Sequence, residues 1–139
     1  MRTDEVIGAV GISQMMVRPG DTALAHGSGD LPILSSSFLL TLMESACNSA
    51  MAEFMENSEA TVLSSIQLEM HHPVAIGSEI QGSATCIAIE GNLIDFICEI
   101  HDGPRLVAAA RIERMVVERM SYLARAAALA LMSQQDSEV

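Results

Sequence analysis

The stretch Ser35–Met55, SSSFLLTLMESACNSAMAEFM, constrains the fold more than any other part of the chain. Its apolar side chains Leu39, Leu42, Met43, Ala46, Cys47, Ala50, Met51 and Phe54 recur at the three-and-four spacing of a helix packed along most of its girth. Three serines at its start offer N-cap oxygens to the free amides of a first turn. A helix this apolar cannot lie on a flat sheet with its far side in water. Either the sheet curls round it or a second copy of the chain covers it. Glu44 stands in its middle, on a narrow stripe of uncharged polar groups formed by Ser37, Thr41 and Asn48. A solvated helix face usually mixes acids and bases as pairs one turn apart. Here no Lys or Arg occurs between Arg18 and Arg105. The stripe is either a short wet face or the lining of a closed polar pocket, and the missing cations favour the pocket. Glu44 is then expected to be desolvated and without a cationic mate, which favours the neutral acid.

The 139 residues fit one domain, 1–132, followed by a polar tail, 133–139. A chain of that size buries about two-thirds of its unfolded surface. Half of the residues are apolar, yet only four are aromatic and ten are Met, so the core is built from aliphatic chains and adaptable thioethers. A net charge of −11 argues against nucleic acid or an anionic membrane surface as partner. There is no Lys, and Arg105, Arg111, Arg114, Arg119 and Arg125 cluster toward the C-terminus. Arginines there suit a bidentate grip on phosphate, or pair with Glu113 and Glu118. Cys47, Cys86 and Cys98 are odd in number, lie in apolar runs and have no metal-ligand spacing, as befits free thiols in a reducing cytoplasm. The opening MRTDEVIG lacks the cationic and apolar regions of a signal peptide. No apolar run reaches the ~20 residues that span a bilayer. A cytoplasmic protein is expected.

In order, Val6–Val17 reads as a strand bent at Gly8 or Gly11. Pro19-Gly20-Asp21 marks a turn, and Ala23–Pro32, ALAHGSGDLP, a loop at the start of the long helix, placed to act as a flap. This loop lacks the third glycine and the strand-before, helix-after layout of a dinucleotide site, and its His26 and Asp30 read as solvated. After the helix, strands are expected at Val62–His72, Ser78–Ile89, Leu93–His101 and Arg105–Val117, the last three joined by tight turns at Glu90-Gly91-Asn92 and Asp102-Gly103-Pro104. In the first of these, Ile66, Leu68 and Met70 share a face; by alternation His72 joins them and His71 faces away. An Ala-rich helix, Met120–Met132, follows.

This order resembles the hotdog fold. Within it, GSGDLPILSSSFLLTLMESA (Gly27–Ala46), SSIQLEMHHPVAIGSEI (Ser64–Ile80) and ARIERMVV (Ala110–Val117) resemble the fluoroacetyl-CoA thioesterase-like branch, over nearly the whole chain from about Val6 to Arg125. The resemblance implies an α+β hotdog fold, a curved antiparallel sheet wrapped around one long central helix, plus a short C-terminal helix. It also implies a homodimer, with further pairing of dimers left open. Members of the branch hydrolyse acyl-CoA thioesters with a hydroxyl residue, a helix glutamate and a histidine. Carried over, the hydroxyl is Ser36, the acid Glu44, and Arg114 matches an arginine preceded by Glu113 near the end of the last strand. The family's histidine position falls on Met70, with His71 and His72 beside it, and a family glycine falls on Leu63.

The resemblance therefore implies Ser36, Glu44, His71 and His72 as catalytic residues, and Gly29, Leu31, Leu63, Met70 and Arg114 as substrate-binding ones. A thioester needs an attacking group, a proton carrier and donors for the developing oxyanion. Glu44 would serve as nucleophile or as base for a water, Ser36 would orient the water, and His71 or His72 would protonate the departing thiolate. No metal and no cofactor is expected, coenzyme A entering only as part of the substrate or ligand. A hotdog protein that binds acyl-CoA without hydrolysing it stands as the alternative, because Met70 and Leu63 occupy family positions. A dehydratase-like hotdog, which wants a clean catalytic histidine, is a weaker third.

Overall fold

The alternating stretches pair edge to edge as their turns require. In the computed structural model, which describes residues 1–137, strand β1 (Val10–Met16) leads into a one-turn helix α1 (Ala23–His26) and the long helix α2 (Ser36–Met51). Strands β2 (Glu59–Met70), β3 (Glu79–Glu90), β4 (Leu93–Asp102) and β5 (Arg105–Glu118) follow, then helix α3 (Arg119–Ser137). All five strands form one antiparallel sheet in the order β1-β3-β4-β5-β2. Gly91 and Gly103, with φ of 62° and 59°, supply the left-handed turns of the two tight hairpins. The expected α+β class, with one antiparallel sheet around one long helix, is the architecture observed.

Helix α2 packs on β1, β3 and the near side of β4. Its Leu39, Leu42, Met43, Ala46, Cys47, Ala50 and Met51 are buried against Ile80, Ala84, Phe96, Cys98 and Ile100 of the sheet. Two devices bring β1 close to the helix. Gly11 faces α2 so tightly that a Cβ there would sit 1.9 Å from the Ala46 carbonyl oxygen. Ser13 donates from Oγ to the Leu42 carbonyl at 2.7 Å.

Several boundaries differ from the sequence reading. Strand β1 begins at Val10, because residues 3–5 form a 3-10 turn and Gly8 turns the chain at φ 91°. The α-helix ends at Met51 and a 3-10 turn, Ala52–Phe54, finishes it. Strand β2 starts at Glu59 and stops at Met70, so His71 and His72 lie beyond it and both are exposed. Helix α3 runs to Ser137 and is not short; the last two residues of the expected polar tail lie outside the described residues. No helix among the described residues is long and apolar enough to cross a membrane.

Candidate active site

Of the helix stripe expected to line a closed pocket, Glu44 and Asn48 reach across to β5 and β2, whereas Ser37 and Thr41 are exposed. Along β5, Ala108, Ala110, Ile112 and Arg114 share the helix-side face and all are buried. Arg114 therefore points inward in phase with the core. Its Nη1 meets Glu44 Oε2 at 2.5 Å, with the Arg114 side chain 5% exposed and that of Glu44 29% exposed. The expectation that Glu44 lacks a cationic mate is overturned. The partner comes from a strand 70 positions later in the chain.

Arg114 is itself held in place. Its Nε donates to Thr61 Oγ1 at 3.0 Å and its Nη2 to the Thr61 carbonyl at 2.9 Å. Thr61 passes the contact on by donating to Asn48 Oδ1 at 3.1 Å. Glu44 and Asn48, one helical turn apart, thus grip the same strand pair through Arg114 and Thr61. Thr61 turns inward because β2 bulges between Leu63 and Ser65, where the pairing register shifts against β5. The extra residue, Ser64, turns outward and donates to Glu113 Oε1 at 2.9 Å. Beneath the pair, Cys47 Sγ lies 3.6 Å from Cys98 Sγ. Contact with Cys98 and burial push the Cys47 thiol well above its usual range, which makes it a poor nucleophile.

The loop ahead of α2 is more ordered than a flexible flap. Thr22 caps α1 by accepting from the Ala25 amide, and Gly27 closes it at φ 71°. Backbone bonds from Ala23 to Ile33 and from Ser35 to Asp21 clamp both ends of the segment. Arg18 holds Asp21 through its side chain and keeps that carboxyl below the usual carboxylate range. His26, read from sequence as solvated, is exposed but engaged. Its Nδ1 lies 3.2 Å from Ser37 Oγ, and its ring meets Phe38 edge-on with centroids 4.7 Å apart. Ser37 Oγ is also 2.9 Å from the buried Ser35 Oγ, which caps α2 by accepting from the Phe38 amide.

The remaining sequence-derived residues do not all converge within one chain. Ser36 is exposed on the first turn of α2. Gly29 and Leu31 lie exposed in the clamped loop. Leu63 pairs with Arg114, which holds Glu44, whereas Met70 pairs with Ala108. Six residues along β5 separate those rows, roughly 20 Å at 3.3 Å per residue. His71 and His72, past Met70, are therefore remote from Glu44 of their own chain. Nor do the arginines form one patch: Arg111 faces the opposite side of β5 from Arg114, and Arg119 donates to the Glu59 carbonyl.

Comparisons place this geometry among known proteins. Residues 17–120 match the family described as fluoroacetyl-CoA-specific thioesterase. No curated protein matches the chain. The structure is similar to that of the fluoroacetyl-CoA thioesterase FlK, with TM-score 0.81 and 22% identity over 86% of this chain and 93% of that one. It is also similar to a hypothetical protein of Thermus thermophilus described as a thioesterase superfamily member, with TM-score 0.79 and 19% identity over 95% of each chain. A hot-dog-like protein from Thermanaerovibrio acidaminovorans matches with TM-score 0.80 and 20% identity over 91% of this chain and 95% of that one. At such identities these structures speak for the shared hotdog fold.

Proposed function

Because the chain belongs to the fluoroacetyl-CoA-specific thioesterase family, we propose that it hydrolyses the thioester of a small or medium acyl-CoA to the free acid and CoA. FlK variants have been solved with fluoroacetate and CoA and with acetyl-CoA, which supports a CoA thioester as the ligand class. The observation that carries the reading is the fixed carboxylate of Glu44. Arg114 holds Oε2, and Oε1 has no protein partner among the described residues. That oxygen is free to take the proton of an attacking water, and a carboxylate oriented in advance avoids reorganising during the step. The Ser36 and Ser37 amides at the start of α2, which have no acceptor within the helix, face the thioester oxygen in this reading.

The site is completed in a homodimer. Strand β2 is an edge of the sheet, and its helix-side residues Ile66, Leu68 and Met70 are only partly covered, Met70 being 44% exposed. An uncapped edge with an apolar face invites a second strand. Antiparallel pairing of β2 with its own copy, centred near Ile66, brings the far end of one strand beside Leu63 of the other. It also brings His71 of the partner subunit toward Glu44. The wild type is expected to sediment at twice the 14.8 kDa chain mass, and Leu68→Glu to leave a monomer. A dimer that survives Leu68→Glu would place the interface elsewhere.

Turnover on a panel of short acyl-CoAs, followed by release of the thiol, tests the assignment. Glu44→Gln keeps a hydrogen-bonding group beside Arg114 but removes the base, and is expected to lower kcat by at least ~10²-fold. A second reading draws on the same ion pair: a carboxylate already neutralised by Arg114 suits a protein that binds acyl-CoA and releases it intact. Saturable binding with no thiol release by the wild type would favour that reading. Neither binding nor turnover would remove CoA from the account.

A further inference from the structure

Hydrolysis needs a proton for the departing thiolate, and His71 and His72, past the end of β2, lie remote from Glu44 of their own chain. Resting on the thioesterase reading above, we infer that His26, working through the Ser37 hydroxyl, is the proton donor of this site.

The placement follows from the helix. Ser37, Thr41, Glu44 and Asn48 fall at steps of four, three and four, so they form one line along α2. Ser36 is rotated about 100° from Ser37 and lies off that line. Seven residues at 1.5 Å each put Ser37 roughly 10 Å from Glu44 along the axis. A reacting thioester fills such a gap. A hydrogen bond of ~3 Å joins carboxylate to water, ~3–3.5 Å separates water from the carbonyl carbon, and a further ~3 Å lies between the sulfur and a hydroxyl donor.

Among the described residues, His26 is the histidine whose ring bonds a side-chain hydroxyl, at 3.2 Å from Ser37 Oγ. His101 instead lies against Glu99. The His26 ring is oriented by the Phe38 edge, and the turn that carries it is clamped at Thr22, Ile33 and Ser35. The dyad is therefore assembled before substrate arrives. The Ser35 hydroxyl, buried behind Ser37, accepts or donates as the proton moves.

The step balances without a cofactor. The water oxygen bonds to the carbonyl carbon as its proton passes to Glu44. The carbon–sulfur bond then breaks, and the thiolate takes the Ser37 hydroxyl proton while the His26 imidazolium replaces it. The proton on Glu44 leaves to solvent, and His26 is reprotonated from water. The groups facing the imidazole are Ser37 and Phe38 of α2 and Asp21 of the preceding turn, which feels the charge of His26 and is itself held by Arg18.

The experiment compares the wild type with His26→Ala, Ser37→Ala and the double variant on the best acyl-CoA of the panel. Each single change is expected to lower kcat by about 10²-fold with KM little changed, and the double variant by no more than either alone. A general acid is needed protonated, so wild-type kcat should fall as pH rises, and His26→Ala should lose that alkaline limb. Added imidazole should restore part of the activity of His26→Ala, because the position is open to solvent. Full kcat in His26→Ala would overturn the inference while leaving the thioesterase reading intact, above all if His71→Gln or His72→Gln carries the loss instead. A loss that imidazole does not relieve and that leaves the pH profile unchanged would make His26 a structural clamp. A wild type that releases no thiol from any acyl-CoA would remove the thioesterase reading and the dyad with it.

Discussion

Arg114→Met is expected to destabilise the protein by about 3 kcal/mol, the lower end of what breaking a buried ion pair costs. The cost arises from what is left behind. Glu44 keeps a carboxylate in a site where its side chain is 29% exposed, and the guanidinium that held it at 2.5 Å is gone. The Thr61 carbonyl and hydroxyl lose their donors at the same time. Methionine roughly conserves the buried volume, so the change reports the charge and not a cavity. The partial exposure of Glu44 lets water reach the orphaned acid, which is why the upper end of the range is not expected. For a chain of this length the loss corresponds to a fall in Tm of roughly 10 °C. It should be measured at fixed protomer concentration, because any self-association adds to apparent stability. In Glu44→Gln/Arg114→Met the stranded charge is removed, so the double variant should be more stable than Arg114→Met alone. A cycle with no coupling would show that the pair behaves as a surface salt bridge, worth little.

Gly11→Ala should be as damaging for a different reason. The new methyl would lie 1.9 Å from the Ala46 oxygen and 2.4 Å from the Ala50 nitrogen, both main-chain atoms of α2. A flexible side chain could swing away, but a helix backbone can yield only by moving as a body. Overpacking of this kind typically costs ~1–3 kcal/mol, and the backbone contact places it at about 3 kcal/mol. Gly82→Ala is the control. Its Cβ would meet Leu42 Cγ at 3.0 Å and Ser13 Oγ at 3.2 Å, side-chain atoms that can give, so a loss of about 1 kcal/mol is expected. Urea denaturation of the two variants separates the cases. The displaced helix also carries Glu44, so Gly11→Ala should lower turnover beyond its loss of folded protein, as misplacement by about 1 Å can. Equal stability of the two variants would mean that β1 rides on the helix loosely.

Much of the molecule follows from local pattern. The apolar spacing of Leu39 to Phe54 specifies one buried helix, and period-two alternation with glycine turns specifies the meander of β3, β4 and β5. The segments that resemble a thioesterase family foretell the fold that the matched structures share. Glu44 was legible as an acid in an unusual place because nothing cationic lies near it in the chain. What pattern could not supply is whatever depends on contacts between distant segments.

The partner of Glu44 lies 70 residues away, and only the pairing of β5 with β2 brings it across the helix. One signal for it was present: Arg114 falls in phase with the core residues Ala110 and Ile112, where a cation needs a mate. Thr61 gave no such signal. Counting back by twos from Ile66 reaches Ser64 and Val62, and the bulge at Ser64 shifts that count by one residue. His26 was hidden likewise, because composition alone reads its glycine-rich segment as a solvated loop. Thr22, Ile33 and Ser35 fold it back onto α2, against Ser37 and Phe38. Periodicity belongs to the chain and fixes which face each residue presents within its own element. Which faces meet is decided by register, bulges and closures between elements, and at those junctions the tertiary structure assembled the site.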